Sequence, residues 1–314
     1  MKIVFFGSSN FAVPSLKALL ATTHNVSCVV TQPDRPKGRG LHFRGTIIKS
    51  IASGSGVKIY QPDNINDSAA LEFLKEINPD LFVVIAYGQI LSQKILDIPK
   101  NFSINVHASL LPKYRGAAPI NWAIIKGEKT TGITVMKMAK EMDAGQIILQ
   151  QETGISDDDT AITLEDKLSC ASMQLLLAAL SSIEDNNYNL KPQDNDGVSF
   201  APKLKKEDGR IDWNKPAWDI YNLVRGCISW PGAFTYYNDK LLKIYKAKIV
   251  PYLPHSVPAL PGEIIDVSKE GITVAAGKDK LIIEELQIEG KRMMKAEEFI
   301  SGHKIEIGQV FDKK

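Results

Sequence analysis

Cysteine is scarce in this sequence, and its scarcity argues against two classes of protein. The 314 residues include three cysteines, Cys28, Cys170 and Cys227, which are far apart and odd in number. Such a set matches neither a metal-binding spacing nor a disulfide framework, so we expect a reducing compartment. We expect each cysteine to be a small buried apolar side chain. The five histidines also lack the spacing of ligands, and the sequence therefore predicts no bound metal.

Long hydrophobic runs are absent as well. The longest, residues 81–91, is interrupted by Tyr87, Gly88 and Gln89 and is too short to cross a bilayer. Near the N-terminus, the turn residues 7–10 break the apolar stretch, whereas a signal peptide needs a longer uninterrupted core. We therefore expect a cytoplasmic protein without membrane association.

A strong net charge is the third missing feature. The formal charge is +2, so nucleic-acid binding would require a local basic patch. With 44% apolar and 24% charged residues, the composition is that of an ordinary globular protein. A length of 314 residues exceeds the usual size of one core, and two domains are expected.

Short apolar runs alternate with helical patterns in the first part of the chain. The predicted strands are residues 2–7, 26–30, 57–60, 81–86, 101–107 and 131–138. The predicted helices include residues 47–53, 69–77 and 163–183. This alternation predicts an α/β domain over residues 1–188, with a Rossmann-like parallel sheet covered by helices on both faces.

The pattern changes in the last third of the chain. Residues 189–206 are polar and include Pro192 and Pro202, which is typical of a linker. Beyond them, five short alternating strands are separated by Gly and Pro turns. The sequence therefore predicts a small C-terminal domain, an OB-like β-barrel, over residues 207–314.

Two polar residues share one face of the predicted strand 101–107. Because side chains alternate along a strand, Asn105 and His107 point the same way. Sites in open parallel sheets form beyond the carboxyl ends of strands, where this pair lies. Spacing alone is equally compatible with a structural histidine that makes a local hydrogen bond at the strand end.

A second candidate, Asp143, lies in a loop between two apolar strands. An Asp-x-Gly loop is most often a simple turn. A functional role would require pairing with His107, because a carboxylate beside an imidazole stabilises the charged form of the ring.

These residues belong to a longer pattern. In chain order, the motifs are Asn105-Val106-His107, Ser109-Leu110-Leu111-Pro112, Arg115-Gly116 and Asp143-Ala144-Gly145. This succession resembles the signature of the formyltransferases that use 10-formyltetrahydrofolate. The resemblance implies that Asn105, His107 and Asp143 form a catalytic triad, and that the reduced folate is a co-substrate.

Further segments resemble the branch of that family that formylates initiator methionyl-tRNA. They include residues 31–36 with Gly38-Arg39-Gly40, residues 83–88, residues 209–213 and residues 230–233. The sequence departs from the family at Ser8-Ser9, at residues 41–45 and at Ile228-Ser229. Residues 113–115 and 121–122 also resemble the formyltransferases of sugar nucleotides, which are the alternative.

The resemblance assigns roles to further residues. It implies that folate is bound by residues from two neighbouring strand ends: Ser109, Leu110, Leu111, Pro112, Ile85, Tyr87 and Gly88. Leu110 and Leu111 could instead be ordinary core residues. It implies that tRNA is bound by basic residues in two regions: Arg35, Lys37, Arg39, Arg44, Lys203, Lys205, Lys206, Lys291 and Arg292. We expect a monomer.

Two other classes of protein fit less well. A dinucleotide-dependent dehydrogenase would need a phosphate-binding fingerprint, but residues 7–10 lack its second and third glycines. A pure RNA-binding module would leave Asn105, His107 and Asp143 without a role.

Overall fold

The computed structural model describes residues 1–37, 42–251 and 259–311, which divide into two units. The first unit comprises Met1–Pro119, Thr130–Gly154 and Glu165–Pro202. The second unit comprises Ile120–Lys129, Ile155–Leu164 and Lys203–Lys314. Each unit therefore draws on more than one stretch of the chain.

A sheet of seven strands is the centre of the first unit. With all elements numbered in chain order, its strands are β1 (Lys2–Gly7), β2 (Asn25–Val30), β5 (Ile59–Tyr60), β6 (Leu81–Ile85), β7 (Phe102–His107), β8 (Thr130–Lys137) and β9 (Ile147–Gly154). Their order across the sheet is β5-β2-β1-β6-β7-β8-β9. Buried apolar residues fill β1 and β6, as expected for central strands covered on both faces.

The sheet is mixed rather than wholly parallel. The five strands from β5 to β7 are parallel, which confirms the Rossmann-like part of the prediction. The pairs β7–β8 and β8–β9 are antiparallel. Apolar periodicity predicts that a segment is a strand but does not report its direction, so this edge could not be predicted from the pattern.

Helices and a small hairpin complete the first unit. The helices are α1 (Val13–Leu20), α2 (Ile47–Gly54), α3 (Ser68–Ile77), α4 (Gln93–Leu96) and most of α6 (Ala161–Glu184). The side chains of Thr46 and Asp67 cap α2 and α3 by accepting hydrogen bonds from the main-chain N–H groups of Lys49 and Ala70. The hairpin pairs β3 (Arg35–Lys37) with β4 (His42–Arg44), where the sequence predicted a loop. Within the described ranges, no helix is both long enough and apolar enough to span a bilayer.

The second unit is built on antiparallel strands. They are β10 (Ala233–Tyr237), β11 (Lys240–Val250), β12 (Ile264–Ser268), β13 (Gly271–Ala275), β14 (Lys280–Ile288) and β15 (Met294–Lys295). The order is β10-β11-β14-β13-β12, with β15 on β14. The first five of these strands confirm the prediction, and the sheet is consistent with a small barrel. The unit also contains α7 (Ala217–Gly226), α8 (Ala296–Gly302) and all but the first residue of α5 (Pro119–Ile125). None of these three helices was predicted.

Arg225 explains why residues 155–164 belong to the second unit. Its buried guanidinium donates to the carbonyl oxygens of Ser156 at 3.2 Å and Asp159 at 2.8 Å. It also donates to Asn222 Oδ1 at 2.9 Å on its own helix, α7. A buried charge is stable only when its donors are paired, so this arginine ties the loop to α7.

The three cysteines differ in exposure. Cys28 and Cys227 are buried, as expected, but the prediction is wrong for Cys170, which is exposed on α6. Burial raises the pKa of the Cys28 thiol and of the Cys227 thiol to about 12 each. Among the described residues, no group of three or more His, Cys, Asp or Glu side chains is placed to hold a metal ion.

Cysteine reactivity should follow this difference. Because the thiolate is the nucleophile, we expect one rapidly reacting thiol per chain with a disulfide reagent at about pH 8. The native protein and a sample in denaturant should be compared by absorbance, and all three thiols should react after unfolding. Cys170→Ser should abolish the rapid phase. Fast reaction of a second thiol in the native protein would contradict the burial of Cys28 or Cys227.

Candidate active site

Strand β7 carries two of the predicted catalytic residues. Asn105 and His107 lie on one face, and Ile104 and Val106, which alternate with them, are buried. His107 is the last residue of β7 and pairs with Thr134 of β8. Its side chain is 7% exposed, so the imidazole is almost removed from solvent.

The loop between β8 and β9 brings Asp143 to this pair. It leaves the sheet at Lys137, which is paired with Ile104, and Asp143 has a left-handed φ of +53°. Aspartate tolerates this conformation better than most residues. A Cβ on Gly145 would lie 1.7 Å from the Lys137 carbonyl oxygen, so only glycine permits this close return of the chain.

The Asp143 carboxylate is 9% exposed and meets groups from separate parts of the chain. Asn105 Nδ2 donates to Oδ1 at 3.4 Å, and the Gly116 N–H donates to Oδ2 at 2.8 Å. His107 Nδ1 lies 3.6 Å from Oδ2. The structure therefore brings Asn105, His107 and Asp143 together.

The second nitrogen of His107 also has a partner. Nε2 lies 3.0 Å from the carbonyl oxygen of Tyr114. A carbonyl oxygen only accepts, so Nε2 carries the proton in this contact. When Nδ1 is protonated as well, the charged ring faces the Asp143 carboxylate. His107 is thus oriented at both ends, and a role on substrate requires it to exchange the bond to Tyr114.

The loop after β7, predicted to bind folate, is held by side-chain hydroxyl and amide groups. Thr134 Oγ1 donates to the Ser109 carbonyl at 2.7 Å and accepts from the Leu111 N–H at 3.1 Å. Ser109 Oγ donates to the Lys113 carbonyl at 2.6 Å, and Gln150 Nε2 donates to the Leu111 carbonyl at 2.8 Å. The main chain of this loop is therefore fixed in position.

The neighbouring strand end carries the other predicted folate residues. Val84 pairs with Asn105, so residues 85–88 leave the same edge of the sheet as the loop after β7. Ile85 is buried, and Gly88 has a φ of +93°. The ring of Tyr87 is buried in the core, edge-on to Phe6 with centroids 5.5 Å apart.

Main-chain groups of several predicted folate residues make internal hydrogen bonds. The Tyr87 carbonyl accepts from Ser8 Oγ at 2.9 Å and Gln32 Nε2 at 3.2 Å. Leu111 packs with Met136 and Ile147 in a small apolar cluster, which agrees with the core role considered for it. Leu110 and Pro112 are partly exposed.

The predicted tRNA residues fall in two sets. In the first unit, Arg35 is exposed, Lys37 and Arg44 lie in the hairpin strands without described side chains, and Arg39 lies outside the described residues. In the second unit, all five predicted residues are exposed: Lys203, Lys205, Lys206, Lys291 and Arg292. Arg292 forms an ion pair with Glu298.

The base of the hairpin is anchored by its one acidic residue. Asp34 Oδ2 accepts from Lys49 Nζ at 2.6 Å, and Oδ1 accepts from Gln61 Nε2 at 2.7 Å. Hydrogen bonds from Gln61 and Lys49 lower the pKa of the Asp34 carboxyl below its ordinary value. The chain is therefore held in place where the hairpin begins.

Residues 191–201 contribute contacts to the site that the sequence, which predicts a linker there, does not indicate. The Gln193 side chain contacts the Asp143 loop, and the Ser199 side chain contacts Tyr114. Their partners are 50 and 85 positions away in the chain, so local composition contained no signal for these contacts.

Comparison with known proteins identifies the class. Residues 1–180 match the family model described as formyl transferase, and residues 203–304 match that of the formyl transferase C-terminal domain. The chain therefore belongs to the formyl transferase family, as its motifs indicated. A methionyl-tRNA formyltransferase of Acetivibrio thermocellus is 45% identical over 310 residues, 99% of each chain.

Solved structures of low identity share the fold. An N-formyltransferase from Helicobacter canadensis, in complex with folinic acid and dTDP-3-aminofucose, matches with a TM-score of 0.68 and 21% identity, over 90% of this chain and 98% of that chain. A variant of HypX from Aquifex aeolicus matches with a TM-score of 0.64 and 18% identity, over 96% of this chain. This chain spans 47% of the HypX chain.

Gly116 provides a test of the site geometry. Its φ is +128°, and a Cβ there would lie 2.5 Å from the Ala201 carbonyl oxygen. We expect Gly116→Ala to lower the free energy of unfolding by about 3 kcal/mol and to displace the N–H from Asp143. Turnover should fall by about tenfold or more because the carboxylate loses a donor that positions it.

Gly56→Ala is the matched control, because Gly56 has a φ of +69° and no neighbour within 4 Å. Backbone strain alone should lower its free energy of unfolding by about 1–2 kcal/mol, with unchanged turnover. Denaturant unfolding and steady-state assays measure both effects. If the two variants lose the same free energy of unfolding and have the same turnover, Gly116 is not closely packed.

Proposed function

We propose that this protein transfers the formyl group of 10-formyltetrahydrofolate to the amino group of methionyl initiator tRNA. The observation that carries the proposal is the cluster of Asn105, His107 and Asp143. It occurs in a chain that is 45% identical, almost from end to end, to a methionyl-tRNA formyltransferase.

The reaction exchanges one carbon–nitrogen bond for another. The neutral methionyl amine attacks the formyl carbon, and a tetrahedral intermediate with a negatively charged oxygen forms. The bond from that carbon to the folate N10 then breaks, and the proton lost by the amine is finally placed on N10. The site must therefore stabilise an oxyanion and guide one proton.

Asn105 is suited to stabilise the oxyanion. Its amide has two N–H donors, and the contact with Asp143 Oδ1 uses one of them. The second can donate to the formyl oxygen as charge develops on it. One such preorganised donor is worth about 3 kcal/mol of transition-state stabilisation.

His107 is suited to a second role at the same carbon. Held at 3.6 Å from Asp143, the charged ring can donate to the oxyanion after it releases the Tyr114 carbonyl. The neutral ring can instead carry the proton from the amine to N10. In either role, Asp143 orients the ring.

The folate is assigned to the sheet edge beside this cluster. We infer that Ile85, Tyr87 and Gly88 border it from one strand end and residues 109–112 from the next. Their main-chain groups would bind the edge of the pterin ring, and apolar atoms would cover its faces. The fixed main chain of both segments favours such a preorganised pocket.

The tRNA is assigned to the basic residues of both units. The hairpin with Arg35, Lys37, Arg39 and Arg44 would approach the acceptor end, and Lys203, Lys205, Lys206, Lys291 and Arg292 would contact phosphates. The domains that we propose are a catalytic domain (residues 1–188), a linker (189–206) and a C-terminal tRNA-binding domain (207–314), with further tRNA contacts from the hairpin and from the lysines of the linker. We also propose that the protein acts as a monomer in the cytoplasm, where charged initiator tRNA is used.

The catalytic assignment is tested by removing each side chain of the pair on β7. We expect Asn105→Ala and His107→Ala each to lower kcat for formylation of methionyl-tRNA by about 100-fold, with folding intact. Asn101→Ala, an exposed change just before β7, should have no effect. An amino-sugar nucleotide should replace the tRNA in a parallel assay, and preference for the sugar would overturn the proposed substrate. Near-normal turnover of a variant would remove that residue from the mechanism.

The tRNA assignment predicts a separable effect at Arg39. We expect Arg39→Ala to weaken methionyl-tRNA binding about tenfold or more, because a guanidinium that contacts phosphate or base is lost. Folate binding, measured by fluorescence, should not change. The slope of log affinity against log salt should fall by about 1, whereas Lys17→Ala, which removes an exposed charge from α1, should leave it unchanged. An unaltered KM for tRNA would exclude Arg39 from the interface.

A further inference from the structure

Gln193 makes a complete set of hydrogen bonds beside the catalytic loop. Its Nε2 donates to the carbonyl oxygens of Asp143 at 2.7 Å and Gly145 at 2.8 Å. Its Oε1 accepts from Nε of Arg115 at 3.0 Å and from Nη2 at 2.7 Å. Two donors and two acceptor positions are the full capacity of a side-chain amide, so this side chain is held in a single orientation.

These contacts close a ring around Asp143. The Asp143 carboxylate accepts from the Gly116 N–H, and Gly116 follows Arg115 in the chain. The Arg115 guanidinium donates to Gln193, which donates in turn to the Asp143 carbonyl. The main chain and the carboxylate of Asp143 are thus held by the same small network.

The Asp143 loop has few other means of support. Residues 139–142 are exposed, and Met142 is 55% exposed, so no apolar side chain from this stretch anchors the loop in a core. Asp143 also adopts a left-handed conformation that costs energy. Hydrogen bonds to the loop carbonyls must therefore supply the restraint that packing does not.

The segment that contains Gln193 also supports His107. Ser199 Oγ accepts from the Tyr114 N–H at 2.9 Å, and the Tyr114 carbonyl is the partner of His107 Nε2. The main chain of Arg115 pairs with Ser199 and Ala201. One stretch of chain between Gln193 and Ala201 therefore supports both the imidazole and the carboxylate.

We propose that Gln193 is a positioning residue for Asp143, and that residues 193–201 are a strap that holds the catalytic geometry rather than a passive connection. The proposal rests on the proposed function, because it assigns Asp143 to formyl transfer. Gln193 does not touch the reacting atoms in this account. It acts on the reaction only through the main chain of the Asp143 loop and through Arg115.

Two substitutions of Gln193 separate its bonds. Gln193→Leu removes all four bonds, and Gln193→Glu keeps an acceptor for Arg115 but places oxygen against two carbonyl oxygens. We expect both to lower kcat by about tenfold to 100-fold, since small misplacements of a catalytic group have effects of this size. KM for the folate should stay within about twofold, because residues 109–112 have their own supports.

Gln150→Leu is the matched comparison. Gln150 Nε2 makes two hydrogen bonds, to the Leu111 carbonyl and to Thr134 Oγ1, and so supports the proposed folate loop instead of Asp143. Its loss should raise KM for the folate and leave kcat within about threefold. Gln93→Leu, which removes an exposed contact with Asp97 on α4, should change neither parameter.

A double-mutant cycle decides whether Gln193 acts through Asp143. In an Asp143→Asn background, measured by single turnover, Gln193→Leu should lower the rate by less than about twofold, because its target is already gone. Gln150→Leu should have the same effect in the Asp143→Asn background as it has in the wild-type protein. If Gln193→Leu lowers the rate by the same factor in the Asp143→Asn background as in the wild-type protein, the proposal is wrong.

The remaining outcomes are also decisive. If Gln193→Leu does not fold, Gln193→Glu and Ser199→Ala are carried through the same cycle, with thermal melts to verify folding, and the same criterion applies. If these variants fold and have a normal kcat, the proposal that residues 193–201 hold the catalytic geometry is wrong. If the wild-type protein fails to formylate methionyl-tRNA, the proposed function fails; if it is active and the cycle is multiplicative, this inference alone fails.

Discussion

The nearly buried carboxylate of Asp143 is the group on which the arrangement of the site depends. A carboxylate withdrawn from water is stable only with hydrogen-bond donors or a positive charge close to it. Here the donors are the Asn105 amide and the Gly116 N–H, and the His107 ring lies beside them. Strand β7 and two loops must therefore converge, and their convergence creates the site.

Close approach of main chains makes that convergence possible. The Asp143 loop returns against Lys137 at Gly145, and the loop after β7 passes Ala201 at Gly116. In both places a Cβ would overlap a carbonyl oxygen. Glycine is needed at these positions because the chains meet, which gives the motif Arg115-Gly116 and the motif Asp143-Ala144-Gly145 a physical reason beyond their resemblance to a family.

The chemistry and the choice of substrate depend on different parts of this architecture. The fold is shared with an N-formyltransferase whose solved complex contains dTDP-3-aminofucose, so the fold alone does not select the amine. The cluster around His107 is built within the first unit, and in the reaction that we propose it could act on any amine that reaches the formyl carbon. We propose that selection of a tRNA comes from the basic hairpin and the exposed lysines of the second unit.

The sequence by itself indicated most of the strands and the three candidate catalytic residues. Apolar periodicity is a local property, so it predicted the central strands and the five barrel strands, and the order of motifs identified Asn105, His107 and Asp143. Only the tertiary structure decided strand direction at β8 and β9 and the partners of Asp143. It also showed that Gln193 and Ser199, in a stretch whose composition is typical of a linker, contact the Asp143 loop and Tyr114. These contacts join residues 50 to 85 positions apart, and no local pattern encodes a bond whose partner is brought near only by folding.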